Sequence, residues 1–246
     1  MSHLHIPDGL LPVWLWAVGL ALALLLLARA SWIARGQSPQ RIAYQGALGG
    51  LMLAAMAIPL GPFEYHLTLA GPVGVLLGGA GAFQVAFVVS AILALMGHGG
   101  LTVVGLNALV LGAGATVACR AYRVVAGRIR PAPALALGTV AGQAVAGALW
   151  LAVVWLGMRL RTGPASPGEA PDARLGVFAG LAVPLWLLGI VVESLVAFGL
   201  GRFLARVQPG LLPRKQEAQG TVGAAAGPAA GPGAGPGAGP GAGKAA

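Results

Sequence analysis

Long runs of apolar side chains alternate along this chain with short segments that collect its arginines, glycines and prolines. Several runs reach the roughly 20 residues needed to cross a hydrocarbon core, and they carry almost no charge. They predict helices over about 10–28, 43–60, 67–79, 82–96, 101–119, 132–157 and 175–200. The stretch from Leu67 to Met96 decides the count. It is too long for one ordinary span, and Gly78, Gly79 and Gly81 offer a place to turn it. Two short helices are expected there, with one long or broken helix as the alternative.

The arginines separate these readings. No Lys or Arg precedes the first apolar run, whereas Arg29 and Arg35 follow it, an order that predicts an outside N-terminus and no cleavable signal peptide. Seven spans then put Arg29, Arg35, Arg41, Arg120, Arg123, Arg128, Arg130, Arg202, Arg206, Arg214 and Lys215 inside, leaving Arg159, Arg161 and Arg174 outside. A single crossing over 67–96 would move the Arg120–Arg130 group outside and break the bias. The expected fold is therefore an all-α integral membrane protein of about seven transmembrane helices, C-terminus inside. Trp14, Trp16, Trp150 and Trp155 suit an outer interfacial belt; Trp186 does not.

Composition agrees. Of 246 residues, 57% are hydrophobic and 9% charged, against about a quarter charged in soluble domains, and the mean hydropathy is +0.84. The net charge of +9 follows topology rather than one basic face, so no nucleic-acid partner is implied. One cysteine, Cys119, excludes an internal disulfide and a cysteine-based metal cluster. From about residue 217 a Gly-, Ala- and Pro-rich repeat lacks the side chains to build a core and reads as a disordered tail.

Four histidines, His3, His5, His66 and His98, come from three segments that the topology brings to the outer face. Each alone reads as an ordinary loop residue; as a set in a nearly uncharged protein they read equally well as a metal site. The N-terminus adds chemistry. An α-amine, a deprotonated amide and an imidazole Nδ1 chelate a late transition metal, and planar nitrogen coordination favours Ni(II) or Cu(II). Met1-Ser2-His3 gives a four-nitrogen chelate from the terminus alone; removal of Met1 leaves Ser2-His3 with one equatorial position open.

The run His5-Ile6-Pro7-Asp8-Gly9-Leu10-Leu11-Pro12 resembles the start of the CbiM/NikM family, the substrate-specific membrane subunits of cobalt and nickel energy-coupling-factor importers. Gly99 to Asn107 is similar to a second family stretch, and Pro59 to His66 is a weaker third match. The resemblance implies that His5 and His66 ligate the ion and that Asn107 shapes the pocket around the N-terminal segment. It also implies a transmembrane coupling subunit, a pair of cytoplasmic ATPase subunits and a small accessory membrane subunit as partners in the cell inner (plasma) membrane. The chain departs from the family in placing Met1-Ser2-His3-Leu4 before His5, so no free amine adjoins His5. Three arrangements follow: a start at Leu4 read as Met, a chelate moved to His3, or altered metal binding.

His98, Met1 and Ser2 are further donors of second rank. Asp8 is expected to cap the first helix ahead of any role as a ligand, and Glu64 to be an exposed loop carboxylate ahead of one beside His66. Glu193, inside the last span, must face protein, pair with Ser or Arg, or be protonated; a role in coupling and a place near the inner interface towards Arg202 weigh equally. No P-loop pattern is present, so ATP hydrolysis falls to partners and the chain reads as a carrier, not an enzyme. It needs no cofactor of its own; Ni2+ or Co2+ is cargo. Three parts result: a metal-binding segment 1–9, a helical domain 10–215 and a tail 216–246. Competing classes are a subunit for an organic vitamin and a non-transporting membrane protein of the same fold.

Overall fold

The computed structural model describes residues 6, 8–9, 11–59, 65–160 and 171–213, with side chains in the last segment described from residue 176. The tail predicted from 216, the terminal residues Met1, Ser2, His3 and His5, and Glu64 lie outside the described residues. The apolar runs form six helices: α1 Val13–Ile33, α2 Pro39–Ala57, α3 Ala70–Leu95, α4 Val104–Val125, α5 Pro131–Leu160 and α6 Pro171–Val207, followed by a short 3-10 turn Pro209–Leu211. No strand forms among the described residues, apart from an isolated bridge between Ala126 and Ile129. Segments α1, α3, α4, α5 and 176–207 of α6 are long and apolar enough to cross a membrane. The helix α2 is not among them; it begins with the start signal Ser38-Pro39, the Ser38 hydroxyl accepting from Arg41 N.

The two short helices expected around Gly78 belong to one interrupted element. Gly78 has φ 77° and ψ 169°, a region essentially restricted to glycine. A straight 26-residue helix would be about 39 Å long. Yet the rings of His66, before α3, and His98, after it, have centroids 5.9 Å apart. The element therefore doubles back at Gly78, with halves 70–77 and 79–95. The first half is shorter than expected because residues 66–69 are non-helical, ending at Leu69 with a left-handed φ of 52°.

The contacts sort the helix ends into two groups. At one end Met56 of α2 meets His66, His98 follows α3, Asn107 opens α4, and Leu11 shares a cluster with Val154 of α5 and Phe178 of α6. At the other end Arg41 Nη2 donates to Leu77 O at 3.1 Å, Arg123 lies beside Gly78, and Gly201 packs on Ala132. The first is called here the histidine end and the second the arginine end.

Packing is inside out relative to a protein in water. Leu25, Val88, Leu181 and Leu195 are exposed on the helices, whereas Asn107, Thr139, Gln143 and Glu193 are buried. Exposed apolar belts with polar groups inside fit a lipid solvent, where each buried polar group must find a partner within the protein. Small residues let the backbones close: a Cβ on Gly142 would stand 2.5 Å from Gly114 O, and one on Gly138 2.8 Å from Ala118 O.

Candidate metal-binding site

The N-terminal segment is stitched onto the histidine end. Ile6 is fully buried among Leu11, Val103, Leu106 and Val154. Its N–H donates to Asn107 Oδ1 at 2.8 Å, and its carbonyl accepts from Gly100 N at 3.2 Å and Asn107 Nδ2 at 3.4 Å. Two residues on, Asp8 accepts from Leu101 N and Thr102 N, both at 2.9 Å, and from Thr102 Oγ1 at 2.5 Å. The Thr102 hydroxyl foremost holds the Asp8 carboxyl below its ordinary pKa of 3.8; burial opposes it, and the Thr102 and Leu101 N–H groups add to the lowering. Asp8 thus caps the turn that leads into α4. It does not cap α1, as the sequence suggested: the N-cap there is Pro12, with no side-chain bond. Gly100 is required at this junction because a Cβ would collide with the Asp8 carboxylate.

His66 is buried, its ring 5.9 Å from that of His98, which stands two residues before Gly100. Its Nδ1 is 2.5 Å from Met56 O. A carbonyl only accepts, so Nδ1 carries a proton and donates here. Metal-ligating histidines are commonly oriented by this kind of bond from the other ring nitrogen. His98 stands opposite, its ring tilted 56° to that of His66. Its backbone N donates to Leu93 O at 2.8 Å, and its Nδ1 is buried without a hydrogen-bond partner. Among the described residues no group of three or more His, Cys, Asp or Glu side chains comes together; His66 and His98 are the histidines described at this end.

One layer deeper lies a cluster that the sequence reading missed. Glu193 of α6, 1% exposed, accepts from Thr68 N and, at 3.2 Å, from Leu69 N. Gln143 Nε2 donates to Thr68 Oγ1 at 2.7 Å, Tyr65 Oη donates to Gly189 O at 3.3 Å, and Trp186 Nε1 donates to Gln143 O at 3.0 Å. Glu193 faces protein, as its cost in a span required; it accepts from the Thr68 and Leu69 N–H groups just before α3, with the Thr68 and Tyr65 hydroxyls beside it, rather than pairing with a Ser or Arg. The available signal was the cost of a carboxylate in a span. Trp186 departs from the interfacial belt for the same reason, since its indole N–H is used inside the bundle.

The described residues form an all-helical protein with membrane-crossing segments and a buried polar interior. A family model for the cobalt uptake substrate-specific transmembrane region matches residues 5–211, and the chain belongs to that family, CbiM. A crystal structure of a transition metal transporter is similar in fold, with a TM-score of 0.71 at 19% identity, covering 82% of this chain and 93% of that one. A crystal structure of a truncated transition metal transporter gives 0.64 at 21% identity, covering 80% and 97%. No curated protein sequence matches the chain. By family the chain is thus a substrate-specific membrane component of cobalt uptake, a transport component rather than an enzyme.

Proposed function

We propose that this chain is the substrate-binding membrane subunit of an energy-coupling-factor importer for Ni2+ or Co2+. The observation that carries the reading is the docking of Ile6 and Asp8 on the segment Gly100–Asn107 just after His98, whose ring lies 5.9 Å from that of His66, since His5 directly precedes Ile6. N-terminal nitrogens together with His5 or His3, and His66, form the donor set, and Asn107 and Asp8 hold the segment that delivers them. Planar nitrogen coordination favours nickel over cobalt. The ion enters from outside and leaves inside after partners reorient the subunit: a transmembrane coupling subunit, two ATPase subunits and a small accessory membrane subunit.

The chain passes the inner (plasma) membrane seven times, histidine end outside. The doubled-back α3 supports this count, because residues 65–77 and 79–95 each run between the two ends. Arg29, Arg35, Arg41, Arg120, Arg123, Arg202 and Arg206 then face the cytoplasm, in keeping with the positive-inside bias.

The test is titration of purified full-length protein with Ni2+ and Co2+, after mass analysis has fixed its terminus. Loss of affinity by 10-fold or more in His66→Ala and in either His5→Ala or His3→Ala is expected. The histidine whose removal matters identifies where the chelate begins. No affinity for either ion at a pH where the terminal amine is free would overturn the reading.

A further inference from the structure

The segment that carries His66 is tied to α6 as well as to its own neighbours in sequence. Residues 66–69 have no regular structure, yet they are buried: His66, Thr68 and Leu69 are each at most 8% exposed. Irregular backbone inside a membrane protein persists only where the protein satisfies its polar groups. Here Glu193 takes the N–H groups of Thr68 and Leu69, and Gly189, one turn earlier on α6, takes the Tyr65 hydroxyl. From α5, Gln143 holds the Thr68 hydroxyl. His66 sits between these anchors, two residues from the carboxylate's first partner.

The left-handed Leu69 points the same way. It is the only non-glycine residue with positive φ among the described residues, a conformation that a side-chain-bearing residue rarely adopts. That turn aims the Thr68 and Leu69 N–H groups at one carboxylate. Without the carboxylate, those two N–H groups lose their acceptor. Polar satisfaction and backbone conformation are separate observations, and both end at Glu193.

We propose that Glu193 is a positioning residue for metal binding: by clamping Thr68 and Leu69 it fixes the extended segment that presents His66, and so couples the metal site to α6. The proposal rests on the functional reading above. It gives α6 a mechanical role, because that helix continues from Glu193 to Val207 at the arginine end. A displacement of α6 that withdraws the carboxylate slackens the His66 segment and weakens the hold on the ion.

The experiment uses the full chain in lipid nanodiscs and compares the parent with Glu193→Ala, Glu193→Gln and, as a destabilised control, Leu135→Ala. Leu135 is fully buried in a separate cluster with Val75 and Tyr122. Three quantities are read: Ni2+ affinity, the d–d absorption band of bound nickel, and amide exchange across 65–70 in metal-free protein. Glu193→Ala is expected to weaken nickel at least 10-fold, shift the band and speed exchange in 65–70. Glu193→Gln, which keeps one acceptor oxygen, should fall between Ala and the parent. Leu135→Ala should lower thermal stability but leave affinity and band in place.

Unchanged affinity, band and exchange in folded Glu193→Ala would overturn the proposal, as would equal losses in Leu135→Ala. If the parent binds neither ion, the functional reading fails on its own. The exchange measurement then decides the clamp: faster exchange in Glu193→Ala upholds it, and parent-like exchange removes it.

Discussion

Asp8 shows what a single side chain contributes at the histidine end. Its carboxylate accepts three hydrogen bonds from Leu101 and Thr102, and its pKa is lowered in consequence. A depressed carboxyl stabilises the folded state fully above its ordinary value of 3.8 and loses that contribution as pH falls through the depressed value. Asp8→Asn should therefore lower the thermal midpoint at neutral pH, and the gap to the parent should close as the pH drops below about 3.8; a gap independent of pH would show that the charge is immaterial. The turn at Asp8-Gly9 was legible in the sequence. The partner of Asp8 was not, because capping rules look a few residues ahead and Thr102 lies 94 positions away. Glu193 was legible in the same partial way: its cost in a span demanded a partner, but backbone N–H groups leave no mark in a sequence.

The helix α3 carries the lesson of elements. Apolar length and clustered glycines marked the break, and the structure assigns it to Gly78 alone among Gly78, Gly79 and Gly81. Gly78→Ala forces a Cβ into a region reserved for glycine, with only the Arg123 side chain near enough to touch it. The expected cost is about 1–3 kcal/mol, seen as a lower midpoint in detergent unfolding, with nickel affinity much less affected because the break lies at the arginine end. Equal stability would mean that the hairpin tolerates another backbone geometry. The expected boundaries of 67–79 and 82–96 missed by three residues at each start; at the first, Leu67-Thr68-Leu69 looks like helix by composition. Tertiary bonds from Glu193 and Gln143 override that local preference.

Over the whole molecule, hydropathy and arginine placement made the helical membrane class plain, while the assembly of the histidine end depended on contacts between segments far apart in sequence. Orientation is open to direct measurement because Cys119 is the sole cysteine and is buried. In a Cys119→Ser background, Leu101→Cys at the histidine end should react with a membrane-impermeant maleimide on intact cells. Gln208→Cys, exposed past α6, should react only after permeabilisation. The reverse pattern would invert the proposed orientation, and labelling of both from outside would require an even number of passes.

The bond between Ile6 and Asn107 spans 101 positions of the chain, which sets an order of events during biosynthesis. At about 5–20 residues per second, Ile6 waits roughly 5–20 s after its own synthesis before Asn107 has even been made. For that interval the N-terminal segment has nowhere to dock, however early α1 enters the membrane. Closure of the histidine end is a late step of maturation, and a nascent chain halted before α4 would lack it altogether.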